Sequence, residues 1–301
     1  VRNRLFDANE LAYVGIGLGF IFFFGLQYFG QSISHAPSIV TLGVFLIIWS
    51  RRDLRGELDL YRMTRLVMVY TLFTTAFEFL TGYIPVESVL LCLLVAISDR
   101  ASRFDNPRDL IARLATVQAV FVATIVVVLF FHLIATSIFS PETDTLRNFF
   151  EKLAVRASAS VGGTTDASGA LVGATKVGIV DAAAEFLKQI RHLGLPTRII
   201  GLVTLCIAGG VVVIGLVEMW SSAATRDAKW RATMIAVALV PLCLWIVAFL
   251  NHSYIHAHFM VRILVAVYIT AATMLFWCFA TMRTQTSATE QSLVNPRLLN
   301  T

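Results

Sequence analysis

The run LATVQAVFVATIVVVLFFHLIATSIF, residues 114–139, contains no Asp, Glu, Lys or Arg. A helix needs roughly 20 apolar residues to cross the hydrocarbon of a bilayer, so this run predicts a transmembrane helix. Outward from it, similar apolar runs occupy 11–29, 36–50, 66–83 and 86–98 on one side and 197–220, 232–250 and 259–282 on the other. Runs 36–50 and 86–98 are short for a crossing and predict helices that tilt little, thin the bilayer or re-enter it. The expected fold is an all-α integral membrane protein of about eight transmembrane helices, with an amphipathic helical outer segment between spans five and six.

Composition agrees with that class. Only 14% of the 301 residues are charged and 57% are apolar, where a soluble domain carries roughly 25% charged residues. The mean hydropathy is +0.76. The formal net charge of +5 does not imply nucleic acid, because basic residues gather in short loops on one side, as membrane topology requires. Lysine occurs only at Lys152, Lys176, Lys188 and Lys229. Cys92, Cys206, Cys243 and Cys278 each lie in an apolar run without a CxxC pair, and read as small buried residues rather than disulfide or zinc ligands. The first apolar run has no small-residue cleavage site and reads as a retained span.

Charge sets the expected orientation. Arg51, Arg52, Arg55, Arg62 and Arg65 fall between spans two and three, and Arg100, Arg103, Arg108 and Arg113 between spans four and five. The short turns at 30–35 and 84–85 contain no Arg or Lys. Positively charged short loops stay in the cytoplasm, so both termini are expected there, with the chain in a cell inner membrane. The domains follow: a bundle of about five spans over 1–139, an extracytoplasmic segment over 140–196, about three spans over 197–282, and a cytoplasmic tail over 283–301. Ser50 to Arg65 and Ser98 to Arg113 share a layout that fits either a duplicated hairpin or the general need for a basic inner turn.

The outer segment is expected to be structured. Ser140-Pro141 reads as an N-cap followed by proline in the first helical turn. Leu146, Phe149, Phe150, Leu153 and Ala157 then recur at helical spacing, on a helix lying at the outer membrane surface or against other helices. Gly162-Gly163 ends it. A stretch rich in small residues follows, with Gly169-x-x-x-Gly173 and Gly178, and then an amphipathic stretch 181–191 that includes Phe186. Small residues let helices approach closely, as would Gly201, Gly209, Gly210 and Gly215 in span six. Gly169, Gly173, Gly178, Phe149, Phe150 and Phe186 are therefore the candidate packing or partner residues, toward protein subunits or a second copy.

Candidate chemistry lies at the outer face. Asn251-His-Ser-Tyr-Ile-His-Ala-His258 is the densest polar cluster. On a helix, His252 and His256 would share a face and could bind one metal ion, with a further ligand from His132, Glu78 or Glu87. The bland reading is that His and Tyr settle at a membrane–water interface. Glu78 and Arg262 are ionisable groups within spans, costly unless they face protein or water. The string Asn251-His-Ser-Tyr-Ile resembles the His-Asn-x-Tyr-Leu stretch of periplasm-facing glycan polymerases and ligases, with its first two residues in reverse order. No P-loop, Rossmann, kinase or HExxH pattern is present, which leaves no nucleotide site to expect.

Two function classes fit. One is a non-enzymatic inner-membrane subunit of a transport, channel or secretion assembly, with lipid and protein partners and no nucleic acid. The other, which the glycan-polymerase resemblance implies, is a membrane enzyme acting on a lipid-linked or phosphorylated substrate. It would use His252, His256, His258, Arg262, Glu78 and His132, with or without a metal.

Overall fold

The structure, a computed structural model, describes residues 13–14, 16, 36–77, 83–98, 107–139, 144–157, 160–161, 164–165, 171–172, 175–176, 178, 180–181, 184–185, 195–248 and 264–294. It is overwhelmingly helical. In chain order the helices are α1 (Ala36–Leu54), α2 (Leu60–Phe77), α3 (Tyr83–Ile97), α4 (Pro107–Phe139), α5 (Thr145–Ala157), α6 (Leu195–Ser221), α7 (Arg226–Val237), α8 (Val240–Ala248) and α9 (Leu264–Val294). Among the described residues, two stretches are long and apolar enough to cross a membrane, Arg108–Phe139 and Arg226–Ala248. Ile84–Ile97, Cys206–Ser221 and Val265–Phe279 are shorter apolar helices.

Local chemistry sets the helix ends. Gly56 adopts φ 69°, its N–H donates to Asp53 O, and Glu57 N–H donates to Arg52 O. This is a Schellman closure of α1, and a residue without Cβ suits its left-handed position. Asp59 then caps α2, its Oδ1 accepting from Arg62 N–H at 2.8 Å. Pro107 opens α4, where a missing N–H costs nothing. Thr225 caps α7 by accepting from Ala228 N–H.

The seventh apolar run is broken. α7 ends at Val237 and α8 begins at Val240. Pro241 has no N–H to give the Val237 carbonyl, and its ring crowds that oxygen. Ala238 N–H turns instead to Ile235 O, and helical bonding resumes with Cys243 N–H to Leu239 O. The last helix also differs from expectation. α9 continues to Val294, well into the stretch read as a tail.

α3 is the axis of the bundle. It packs against α4, α7, α8 and α9, and from Pro85 to Ser98 every residue is buried. A helix of 15 residues that is apolar almost all round belongs inside a protein. Around it, α1 pairs with α2 and α2 with α4, while α6 packs most extensively on α9. At that last interface a Cβ on Gly215 would lie 2.6 Å from Met274 Cγ, whereas Gly209 and Gly210 have nothing within 4 Å. Close approach at α6 therefore rests on Gly215, not on all the glycines of the span.

The outer faces of the helices are apolar. Val122, Val126, Phe130 and Ile134 line the exposed side of α4, and Val213, Ile214 and Val217 that of α6. Cys206 and Cys243 are exposed too, contrary to the reading of all four cysteines as buried; Cys92 and Cys278 are buried.

The 140–196 segment departs from an all-helical reading. α5 forms where the apolar spacing predicts, but its described cap is Asp144, whose Oδ1 accepts from Arg147 N–H at 3.1 Å. The helix stops at Ala157, before Gly162-Gly163. Beyond it, Ser160 pairs with Lys176 and Val161 with Thr175, and Thr164 pairs with Val172 and Thr165 with Leu171. All four pairs are antiparallel, in two separate two-stranded ladders. β-branched Val161, Thr164, Thr165, Val172 and Thr175 favour extended backbone. Leu171–Val172 is a strand; Gly169 and Gly173, expected to share a helix face, lie outside the described residues.

Candidate functional site

The polar side chains inside the bundle gather along α3. Near its first turn, Glu87 is buried and accepts a hydrogen bond from Tyr70 Oη of α2 at 2.8 Å. The Tyr70 ring is stacked on Phe45 of α1, centroids 4.3 Å apart. One turn on, Gln118 of α4 ties to α3, its Nε2 donating to Ser88 O at 2.9 Å and to Cys92 Sγ at 3.2 Å. Ser88 Oγ donates to Gln118 Oε1 at 2.6 Å.

About 16 Å further along the helix, by its rise per residue, lies a denser knot. Ser98 Oγ accepts from Trp49 Nε1 at 2.9 Å and lies 3.2 Å from Tyr13 Oη. Tyr13 Oη donates to Asp53 Oδ2 at 2.8 Å, and Asp53 is 3% exposed. From the opposite side Arg231 of α7, fully buried, donates through Nη1 to Ala96 O at 2.9 Å and to Ser98 O at 3.0 Å. Its Nε donates to Asp227 Oδ2 at 2.8 Å, and its guanidinium sits 6.0 Å from the Trp277 ring centroid. A helix ends with unsatisfied carbonyls and partial negative charge. Arg231 supplies a cation and donors to that end of α3.

Chemically the two groups differ. The Ser98–Arg231 knot joins α1, α3 and α7 through hydrogen bonds and meets α9 at the Trp277 ring, which suits a clamp. The Tyr70–Glu87 pair sets one buried carboxyl beside a neutral donor and joins α2 to α3. Glu87 was expected as a possible further ligand for His252 and His256, and those histidines lie outside the described residues.

Most of the residues expected to form a site are not among those described. Glu78, His252, His256, His258, Arg262, Gly169, Gly173 and Phe186 lie outside the described residues. His132 is exposed on α4. Gly178 is exposed, and its N–H donates to Asp181 Oδ2 at 2.7 Å. Phe149 is half-buried and Phe150 exposed, their rings edge to face with centroids 5.5 Å apart. Among the described residues no group of three or more His, Cys, Asp or Glu could hold a metal ion.

Asp53, Ser98, Asp227 and Arg231 carry the knot without having been singled out as a site. Their sequence signal is faint. Asp227 and Arg231 stand four apart on a helix, but Arg231 otherwise reads as one more basic residue of an inner loop. Ser50 and Ser98 open matching stretches yet act differently: Ser50 Oγ donates to Ile47 O of its own helix, while Ser98 joins separate helices. Compared with protein-family models, curated proteins and solved structures, the chain matches none of them.

Proposed function

We propose that this chain is a polytopic inner-membrane protein of about eight spans, with both termini cytoplasmic, serving as a non-enzymatic subunit of a transport, channel or secretion assembly. One observation carries the membrane reading. Asp53, Glu87, Ser88, Ser98, Thr270, Thr273 and Arg231 are buried, while Val126, Phe130, Phe131, Val213, Ile214 and Leu244 are each more than half exposed. Soluble monomers rarely expose contiguous apolar surface beyond a few hundred Å². In lipid that surface is in its proper solvent, and polar groups belong inside.

The subunit reading draws on α5. Leu146 and Phe150 are 50% and 61% exposed, and Leu153 is 38% exposed. With half-buried Phe149 they recur at the spacing of one helix face. This face, on a segment outside the apolar runs, is free to take a partner subunit or to rest on the membrane surface.

The test is native-state mass measurement of the protein extracted gently from membranes. A fixed complex is expected, weakened by L146S/F150S with the helical signal retained. A monodisperse monomer without partners would sink the assembly reading. H252A/H256A/H258A addresses the enzyme class: a subunit keeps its complex and its function, whereas an enzyme loses activity while still folded.

A further inference from the structure

The exposed faces of α1 and α2 each change chemistry at the same level. On α1, Val40, Val44, Ile47 and Ile48 are exposed, and Arg51, Arg52 and Arg55 continue the same stripe. The offsets of three and four residues place them on one face. On α2 the order is reversed. Tyr61, Arg62 and Arg65 are exposed first, then Met68, Val69, Leu72 and Phe73. The short connection after Leu54 makes the two helices antiparallel neighbours. Arg51 lies about 4.5 Å of helix rise from the end of α1, and Arg65 about 7.5 Å from the start of α2. The change from aliphatic to arginine therefore falls on one plane, crossing both helices. Arg65 leans over the ring of Tyr61, 5.5 Å from its centroid, and Tyr61 is 66% exposed, the placement of an interfacial aromatic.

The acidic groups of this rim are partly committed. Asp53 is buried and accepts from Tyr13. Asp59 caps α2 and lies 3.8 Å from Arg62 Nε. Glu57 is exposed. Arg51, Arg52, Arg55 and Arg65 form no salt bridge with a described residue.

We propose that the arginine end of α1 and α2 is a binding site for the headgroup of an anionic glycerophospholipid. Guanidinium groups match phosphate oxygens in shape and charge. The adjoining stripe decides among anions. A free phosphate or a nucleic acid would meet the arginines and leave Val44, Ile47, Ile48 and Met68 facing water. One phospholipid covers both, phosphate against Arg51, Arg52 and Arg55 and acyl chains against the aliphatic residues, as at basic rims between membrane helices. The site rests on the membrane reading above.

The full chain, carried in detergent micelles with phosphatidylglycerol and phosphatidylcholine in equal amounts, is to be weighed by native mass spectrometry. Phosphatidylglycerol is expected to stay bound in preference. R51Q/R52Q/R55Q is expected to lower its retention by about fivefold or more, with the helical signal unchanged because these side chains are exposed. R51K/R52K/R55K keeps the charge and the preference, and R147Q, on α5, leaves retention as in the parent. Equal retention of the two lipids, a glutamine variant that behaves like the parent, or displacement of the lipid by glycerophosphate would each overturn the site. Failure of the protein to float with vesicles of either lipid is a separate result. It removes the membrane reading itself, and the headgroup site with it.

Discussion

Arg231 shows how one side chain can hold a bundle together. Its guanidinium meets two carbonyls at the end of α3 and a carboxylate on its own helix. Breaking a buried ion pair from one side costs about 3–5 kcal/mol. The Asp227 side chain is 28% exposed, so water takes up part of that loss. R231Q is expected to destabilise the protein by about 3 kcal/mol, read as a lowered thermal midpoint in detergent. D227N keeps an acceptor and should cost about 1 kcal/mol. Equal, small effects from both would mean that the guanidinium is solvated rather than clamped. Tyr70 is the second case. Y70F keeps the ring against Phe45 but removes the donor to Glu87, a loss of about 1–3 kcal/mol. Adding E87Q, which replaces the carboxyl with a neutral amide, should restore most of it. If Y70F is as stable as the parent, the carboxyl has another donor and the pair is not a unit.

At the scale of elements, glycine and proline act through geometry. Gly215 lies where α6 meets α9. G215A should overpack that contact by about 1–3 kcal/mol, because Met274 is fully buried and has little room to withdraw. G209A meets open space and should gain up to about 1 kcal/mol of helix propensity. Thermal unfolding of the two single variants checks this, and a pair of equal shifts would contradict the α6–α9 contact. The break between α7 and α8 is likewise assigned to Pro241. The outer segment shows the limit of reading by pattern. Its apolar spacing predicted α5, but the glycine-rich stretch beyond pairs as strands at 160–161, 164–165, 171–172 and 175–176. Small residues suit close helix packing and extended pairing alike, and β-branched Val161, Thr164, Thr165, Val172 and Thr175 favour the extended form.

For the whole molecule, the testable property is which surface meets lipid and which meets water. Cys206 and Cys243 are exposed on the bundle, whereas Cys92 is buried against Gln118. In intact membranes a water-soluble maleimide is expected to leave Cys206 and Cys243 unlabelled, and a membrane-soluble one to label both. In R55C the new thiol should react with the water-soluble reagent only after the cytoplasmic side is opened. Reaction from the outside would reverse the orientation, and with it the placement of the histidines and of α5. The helices over 36–54, 107–139 and 195–221 were legible because an apolar run of that length leaves few alternatives. The Ser98–Arg231 knot was not, because its members are scattered from Tyr13 to Trp277. Each has an ordinary local explanation: a basic loop residue, a helix-flanking serine, an aromatic near a span end.

What the sequence determined by itself is therefore the number and kind of apolar runs, the clustering of arginine in the stretches 51–65 and 100–113, and the helical spacing of α5. These are properties of composition and period, set by residues near one another in the chain. What only the tertiary structure decided is that α3 is the buried axis, that Arg231 caps it from α7, and that Glu87 pairs with Tyr70. Those facts depend on which helices become neighbours. That choice follows from the summed packing of whole faces and the satisfaction of buried polar groups, which no local window of sequence contains.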